Sequence, residues 1–430
     1  MLTTLLTALS FLFLAAHGLR TGSNGVTLFW LAAAALSFAP WRWKHLVLAC
    51  LLVFGTWLWA DIALRLVQVR LAHGLPYHRL AAIIGAVSLC TLFAAGLQFR
   101  AGWQRRESDS VAQAMVFLLA VGGLSIARQK ASLPILLADR FFVDGGWPLI
   151  FMLGCYAALI VGKMLPIGTK TAWWRRTLWT LFSVVFFTQL LLGLAGFERF
   201  LMTGTLHLPV PALIAAGPLY RGEGFFMIIL FSATVLLVGP AWCSHLCYIG
   251  AWDNLAANAK RKSAVLPTWT KKMRWLLAAV VFLLAFLLRK TGIAAGVATT
   301  LAAVFGIVGV GVMLVWSRAT GTMTHCLSYC PMGLLADLFG RINPWRIRIH
   351  AGCNQCGLCS RVCRYNALQP ADVQKRRAGF TCSLCGDCLA TCPHGHLHYC
   401  FPGLGSGTAR TAFLVVVVAL HAIFLGVARL

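Results

Sequence analysis

Cysteine is the residue whose spacing in this chain could do chemistry. One stretch reads Cys353-x2-Cys356-x2-Cys359-x3-Cys363, and a second repeats it as Cys382-x2-Cys385-x2-Cys388-x3-Cys392, followed by Pro393. Written twice, C-x2-C-x2-C-x3-C is the spacing that holds two 4Fe-4S cubanes. Each iron at a cube corner takes one external sulfur, so a cubane needs four thiolates. Two-residue gaps let one tight loop present three of them, and the fourth comes from the other run. The expected ligand sets are Cys353, Cys356, Cys359 and Cys392 for one cluster, and Cys382, Cys385, Cys388 and Cys363 for the other. Paired C-x2-C motifs also bind zinc. Three closely spaced cysteines plus a fourth in each run favour iron and sulfur over zinc. One position departs from the pattern: Arg364 follows Cys363 where proline is usual.

A second constellation reads Cys243-Ser-His-Leu-Cys247-Tyr-Ile-Gly250 and again Cys326-Leu-Ser-Tyr-Cys330-Pro-Met-Gly333, with Asp253 and Asp337 a little further on. Duplicated C-x3-C motifs predict two related helical hairpins. Spacing of i, i+4 puts both sulfurs of a pair on one helix face. Two facing pairs could then form a four-thiolate redox or metal site from Cys243, Cys247, Cys326 and Cys330. The competing reading is that they are small buried residues in packed helix ends.

The elements that must position these cysteines are apolar. The 430 residues are 60% hydrophobic and 11% charged, with 16 tryptophans, a composition of polytopic membrane proteins. At roughly 17 to 25 apolar residues per crossing, about eleven spans are expected. They lie near 2–17, 25–39, 46–67, 80–99, 111–127, 147–165, 177–196, 225–242, 273–289, 293–316 and 411–428. The first has no basic leading region and reads as a retained helix, not a signal peptide. The fold class expected is an all-α polytopic membrane protein, with a small ferredoxin-like α+β two-cluster segment inserted before the last helix.

The net charge of +26 has a membrane explanation. With a cytoplasmic N-terminus, the inner loops hold Arg42 and Lys44, then Arg100, Arg105 and Arg106, then Lys170, Arg175 and Arg176. Lys260, Arg261, Lys262, Lys271, Lys272 and Arg274 follow, and then all of 317–410. This excess on one side follows the positive-inside rule and assigns the cluster segment to the cytoplasm. Loop 127–146, with Arg128, Lys130 and Arg140, runs against it. No basic patch stands apart from membrane flanks, which argues against a nucleic-acid partner. Crowding of the cysteines into metal-type spacings argues for a reducing compartment over a disulfide framework.

Four regions are expected: 1–170, an N-terminal six-helix membrane domain; 171–345, a membrane domain with the C-x3-C motifs; 346–400, the cluster domain; and 401–430, a linker and closing helix. Residues 402–408 read as a flexible connector.

Residues from about 177 to 400 resemble the membrane-bound polyferredoxins of the NapH, NosR, MauN and CcoG type. The resemblance rests on Gly239-Pro240-Ala241-Trp242-Cys243-Ser-His-Leu-Cys247, on Cys326-Leu-Ser-Tyr-Cys330-Pro331-Met-Gly333, and on the paired ferredoxin runs. That family usually has proline after both C-x3-C pairs, where this chain has Tyr248 in the first copy. The resemblance implies electron transfer at the bacterial inner membrane, between the quinone pool or a cytosolic donor and a partner redox enzyme. The alternative it implies is a maturation factor that reduces or delivers a metal for a respiratory metalloenzyme. Quinone is thus a candidate ligand beside the two clusters, and the partners are the membrane and other redox proteins. Nothing carries over to the six N-terminal spans.

Haem would need paired histidines inside spans, and His421 is the one placed well within an expected span, which argues against it. His394, His396 and His398 alternate after the last cluster cysteine and read as a solvated loop. Cys400 reads as structural, and Cys50, Cys90 and Cys155 as core. Asp61 and Arg65 read as an i, i+4 ion pair near an interface. No phosphate-binding loop or nucleophile elbow is present.

Overall fold

In the computed structural model, residues 2–104, 107–201 and 208–427 are described. The expected inner-loop charges Arg105 and Arg106 lie outside them. Among the described residues, nine helices are long and apolar enough to cross a membrane, so the chain is a multi-pass, mainly helical membrane protein. Two of the expected eleven crossings differ from those nine. Asn24–Leu36 is 13 residues, about 20 Å at 1.5 Å per residue, against a hydrocarbon core of about 30 Å. Trp269–Lys290 carries Lys271, Lys272 and Arg274 at its start and Arg289 and Lys290 at its end, which shortens its uncharged stretch.

Among the described residues the chain divides into two compact units, one made of the residues up to Gly162 together with Gly426 and Val427, and the other of Lys163–Leu425. In the first, Lys44–Ala72 and His78–Gln104 pack as a long antiparallel pair. Gln98 donates its amide to the Thr7 hydroxyl at 2.8 Å, joining that pair to helix Leu2–Arg20. Loop 127–146 is held by charge. Arg128 makes a two-pronged contact with Asp139 at 2.7 and 2.9 Å and reaches Asp144 at 3.0 Å. Arg128, Lys130 and Arg140 still count against the orientation rule, in which carboxylates weigh little. Asp61 and Arg65 pair at 2.9 Å, as their spacing implies.

Two expectations for this unit need correction. Cys50 and Cys90 are exposed on their helices, and Cys155 is half-buried. Apolar surface on a membrane helix faces lipid at no cost, so an apolar neighbourhood in the sequence does not distinguish core from lipid face.

The second unit carries the cysteines. Its core gathers Trp179, Phe231, Val235, Cys243, Cys326, Cys330, Met332 and Tyr365, with Cys363 and Cys385 packed against it. Strands β1 (Arg346–Ile349) and β2 (Leu397–Cys400) pair antiparallel and bracket the ferredoxin runs, with Arg346 opposite Cys400 and Ile349 opposite Leu397. Between them lie short helices Leu358–Val362 and Asp387–Thr391, packed on one another. The expected connector 402–408 is partly structured. Phe401 bridges back to Leu404 through a turn in which Gly403 has φ 79°, and helix Ser406–Val427 starts at once.

Candidate functional site

The two ferredoxin runs share one backbone. Gln355 (φ 56°) and Leu384 (φ 55°) precede the second cysteine of each run in the left-handed region, and Gly357 (φ 74°) and Gly386 (φ 79°) follow it. Three residues beyond the last cysteine of each run, Asn366 (φ 54°) and Gly395 (φ 64°) repeat the device. Alternating backbone hand turns successive N–H groups to one side and makes a concavity for anions. For glutamine and leucine that conformation costs about 1–3 kcal/mol each. The short helices follow, and Cys363 and Cys392 stand at their C-caps.

Burial, followed by repulsion from Cys385, Cys382 and Cys363, pushes the Cys388 thiol well up. These four thiols therefore share one neighbourhood. Burial also raises the Cys359 thiol, and Cys353 and Cys356 add to it. The Ala367 N–H donates to Cys363 Sγ at 3.3 Å. Thiols that resist ionisation alone become good ligands once a metal stabilises the thiolate. Around zinc, four sulfurs at about 2.3 Å from the ion sit about 3.8 Å from each other. Among the described residues, the eight cysteines form no group of three ligand atoms within 4.8 Å. Eight thiols around N–H-rich loops are a donor set that fits iron-sulfur clusters.

Helices on the membrane side grip this segment. Arg175, buried on Thr169–Leu194, forks onto Asp387 and donates to the Ser244 carbonyl at 3.0 Å. Ser244 donates to the Ser383 carbonyl at 2.8 Å. Arg364, the residue that replaces proline, is buried; it donates to the carbonyls of Gly321 at 2.6 Å and Lys260 at 2.7 Å. Its role is to dock the first run.

The C-x3-C pairs do not lie on continuous α-helices. Each first cysteine sits in a widened turn, Trp242–Leu246 or His325–Tyr329. Each second cysteine then caps the next helix with extended backbone: Cys247 at φ −85°, ψ 112°, and Cys330 at φ −76°, ψ 119°. Both Sγ atoms accept from the glycine N–H three residues on, at 3.4 Å. The turn is the same with Tyr248 as with Pro331, so proline is not what makes it. Tyr248 instead stacks on Phe186, ring centroids 4.0 Å apart.

Cys243, Cys326 and Cys330 share the buried core of this unit, but among the described residues no three of the four C-x3-C thiols converge within 4.8 Å. Burial raises the Cys326 thiol, and Asp253, Cys330, Cys243 and Cys247 add to the effect. Asp253 accepts from the Cys326 N–H at 3.0 Å, and Asp337 pairs with buried Arg274 at 2.6 Å. Tyr365 joins the two constellations: its hydroxyl donates to the Cys243 carbonyl at 2.9 Å, and its own carbonyl accepts from Thr381 at 2.7 Å.

Three residues had no signal in the sequence, or the wrong one. His325 lies within 4.8 Å of Asp253 and Cys326. His245 is the penultimate residue of the span Phe226–Leu246, and its carbonyl lies 3.4 Å from Nδ1 of His421 on helix Ser406–Val427. His350 joins His394 and His396, with ring centroids 5.9 and 5.7 Å from His396, while His398 sits in β2.

Residues 222–264 and 302–350 match a family described as a 4Fe-4S binding domain. The matched segments hold Cys243, Cys247, Cys326 and Cys330 and stop before Cys353, so the match falls on the C-x3-C repeat. Over 262 residues the chain is 24% identical to YccM of Escherichia coli (strain K12), named for a proposed role in electron transport; the match covers 55% of this chain and 71% of YccM. No solved structure matches the chain.

Proposed function

We propose that the chain is an electron conduit of the bacterial inner membrane, of the NapH, NosR, MauN and CcoG kind, with its ferredoxin segment in the cytoplasm. The eight ferredoxin cysteines would hold two 4Fe-4S clusters, in the sets Cys353, Cys356, Cys359, Cys392 and Cys382, Cys385, Cys388, Cys363. When bound, such clusters supply one-electron chemistry, and the protein positions and insulates them. The observation that carries this reading is the single buried core containing Cys243, Cys326, Cys330 and Tyr365, with Cys363 and Cys385 packed on it. The 4Fe-4S family match and the similarity to YccM support it.

Two cavities of this unit are suited to exchange. A cavity of about 370 Å³ lies against helix Ala295–Val312, lined by Phe187, Trp252, Phe305, Met313, His325 and Tyr329 among others. Its apolar walls and few polar groups suit a quinone ring entering from lipid. A cleft of about 450 Å³ beside Cys382 is lined by Arg341, Arg346, Arg348, Lys375 and Arg377 against two carboxylates, Asp337 and Asp372, a net positive lining. That charge would steer an acidic redox partner.

The test is an anaerobic EPR spectrum before and after a quinol analogue, with dithionite as control. Reduced-cluster signals on quinol alone support entry from the membrane pool. Signals with dithionite alone move the donor to the cytosol or favour the maturation role. Silence under both removes the iron-sulfur reading.

A further inference from the structure

We infer that Asp253, His325 and Cys326 form a binding site for one divalent first-row transition-metal ion, separate from the ferredoxin cysteines. One carboxylate oxygen, one imidazole nitrogen and one thiol sulfur from these residues all lie within 4.8 Å of each other, and all three residues are buried. Two of the groups also have an atom left over. Asp253 accepts from the Cys326 N–H through Oδ2, and the Ser317 hydroxyl, the Cys326 thiol and the His325 N–H also face its carboxyl, while Oδ1 has no partner within hydrogen-bonding geometry. Nδ1 of His325 has none either. Buried polar atoms are nearly always satisfied, and two orphans in one cluster of metal-ligating types call for a cation.

The local structure supplies the convergence. Asp253 lies on helix Tyr248–Ala257, just after the first C-x3-C pair. His325 and Cys326 open the widened turn of the second. The repeat thus sets a carboxylate from one copy against two ligands of the other. The imidazole has little freedom. A Cβ on Gly309 would lie 2.9 Å from its Nε2, and the Tyr329 ring centroid is 5.5 Å from its own.

Charge selects the ion. A carboxylate, a thiolate and a neutral imidazole carry two negative charges, which a divalent cation cancels in a site where net charge is costly. Mixed oxygen, nitrogen and sulfur donors suit zinc or ferrous iron rather than magnesium or calcium, which prefer oxygen, or cuprous copper, which prefers sulfur. Cys326 is shared with the four C-x3-C thiols, so metal here and a disulfide at Cys326 exclude each other. The proposal goes beyond the electron-transfer reading, because metal retention is measured without electron flow.

The experiment incubates the purified, cluster-loaded full-length protein with one equivalent of zinc under anaerobic conditions, removes free ion by gel filtration, and counts zinc and iron per chain. One retained zinc with iron unchanged is expected. D253N and H325A are expected to weaken retention more than roughly 10-fold, since losing even an outer-shell partner of a metal costs that much, with iron unchanged. C247S is expected to retain zinc. Failure of wild type to retain zinc overturns the proposal, as does zinc retained by D253N and H325A. Zinc lost from C247S while D253N keeps it assigns the metal to a thiol-only site and also overturns it. If a variant loses iron and so has not folded, zinc X-ray absorption of the wild type decides: a shell of one sulfur with nitrogen and oxygen supports the site, and an all-sulfur shell refutes it.

Discussion

Arg175 and Asp387 meet in a two-pronged ion pair, Nη2 to Oδ2 at 2.7 Å and Nε to Oδ1 at 3.0 Å, across 212 residues of sequence. The arginine belongs to the membrane helix Thr169–Leu194, and the aspartate stands between Cys385 and Cys388. The pair fixes one ferredoxin run to the membrane side of the protein. Removing one partner of a buried pair strands the other charge, at about 3–5 kcal/mol. R175M is therefore expected to lower the unfolding temperature sharply at a fixed scan rate and to release iron. R175M/D387L is expected to recover a good part of that loss, because no charge is left stranded. A single variant as stable as wild type would show that the pair contributes little.

Cluster ligation makes a separate prediction. C356S removes one thiolate from the first proposed set and C385S one from the second. Each is expected to lower iron and acid-labile sulfide by about half, because a cubane with three thiolates lacks a ligand at one corner. The double variant is expected to hold almost none. Full iron content in either single variant would undo the ligand assignment.

Gly250 and Gly333 are expected to admit no side chain. A Cβ on Gly250 would lie 2.9 Å from the Cys243 carbonyl oxygen, and one on Gly333 would lie 2.8 Å from that of Cys326. Gly250 also meets the Trp179 ring at 2.8 Å and Gly333 the Arg274 guanidinium at 2.9 Å, but the two carbonyl obstacles are backbone, so the widened turn must move. Overpacking of this kind costs about 1–3 kcal/mol. G250A and G333A are each expected to expose the buried thiols Cys243 and Cys326, read as faster maleimide labelling in the folded protein. Labelling at the wild-type rate would mean that the turn absorbs a methyl group.

What the sequence made legible follows from how local each feature is. Cysteine spacing within a dozen residues marked both constellations, and hydropathy over 20 residues marked most helices. Partners distant in sequence left no such trace. Nothing near Arg175 points to Asp387, and Arg364 read as a departure from a proline pattern when it is a buried hook onto two loop carbonyls. His325 was passed over because its partner Asp253 belongs to the other copy of the repeat. The i, i+4 reading of C-x3-C missed the helix break at Cys247 and Cys330, whose extended backbone comes from the turn and not from proline. Cys50 and Cys90 were misjudged because lipid-facing and core-facing residues share the same hydropathy.

The N-terminal unit offers a pH test. Asp144 adopts φ 58° and accepts from the Ser23 hydroxyl at 2.8 Å and from Arg128 at 3.0 Å. The Ser23 hydroxyl, then the Arg128 guanidinium, hold its carboxyl below the usual carboxylate range. A depressed carboxylate stabilises the fold above its unfolded value of about 3.9, and that stability is lost as pH falls through the lower folded value. The side chain is 31% exposed, so solvent screening limits the gain to about 1 kcal/mol or less. Hydrogen exchange in 18–25 and 137–147, corrected for intrinsic rates, is expected to quicken between pH 5 and pH 2, values that bracket that range. D144N is expected to flatten the pH dependence while keeping the turn, because asparagine tolerates left-handed backbone. G25A is the harsher probe, since its Cβ would fall 1.8 Å from the Asp144 carbonyl oxygen, and fast exchange at every pH is expected. Wild-type exchange that ignores pH would show that Asp144 does not tie this corner together.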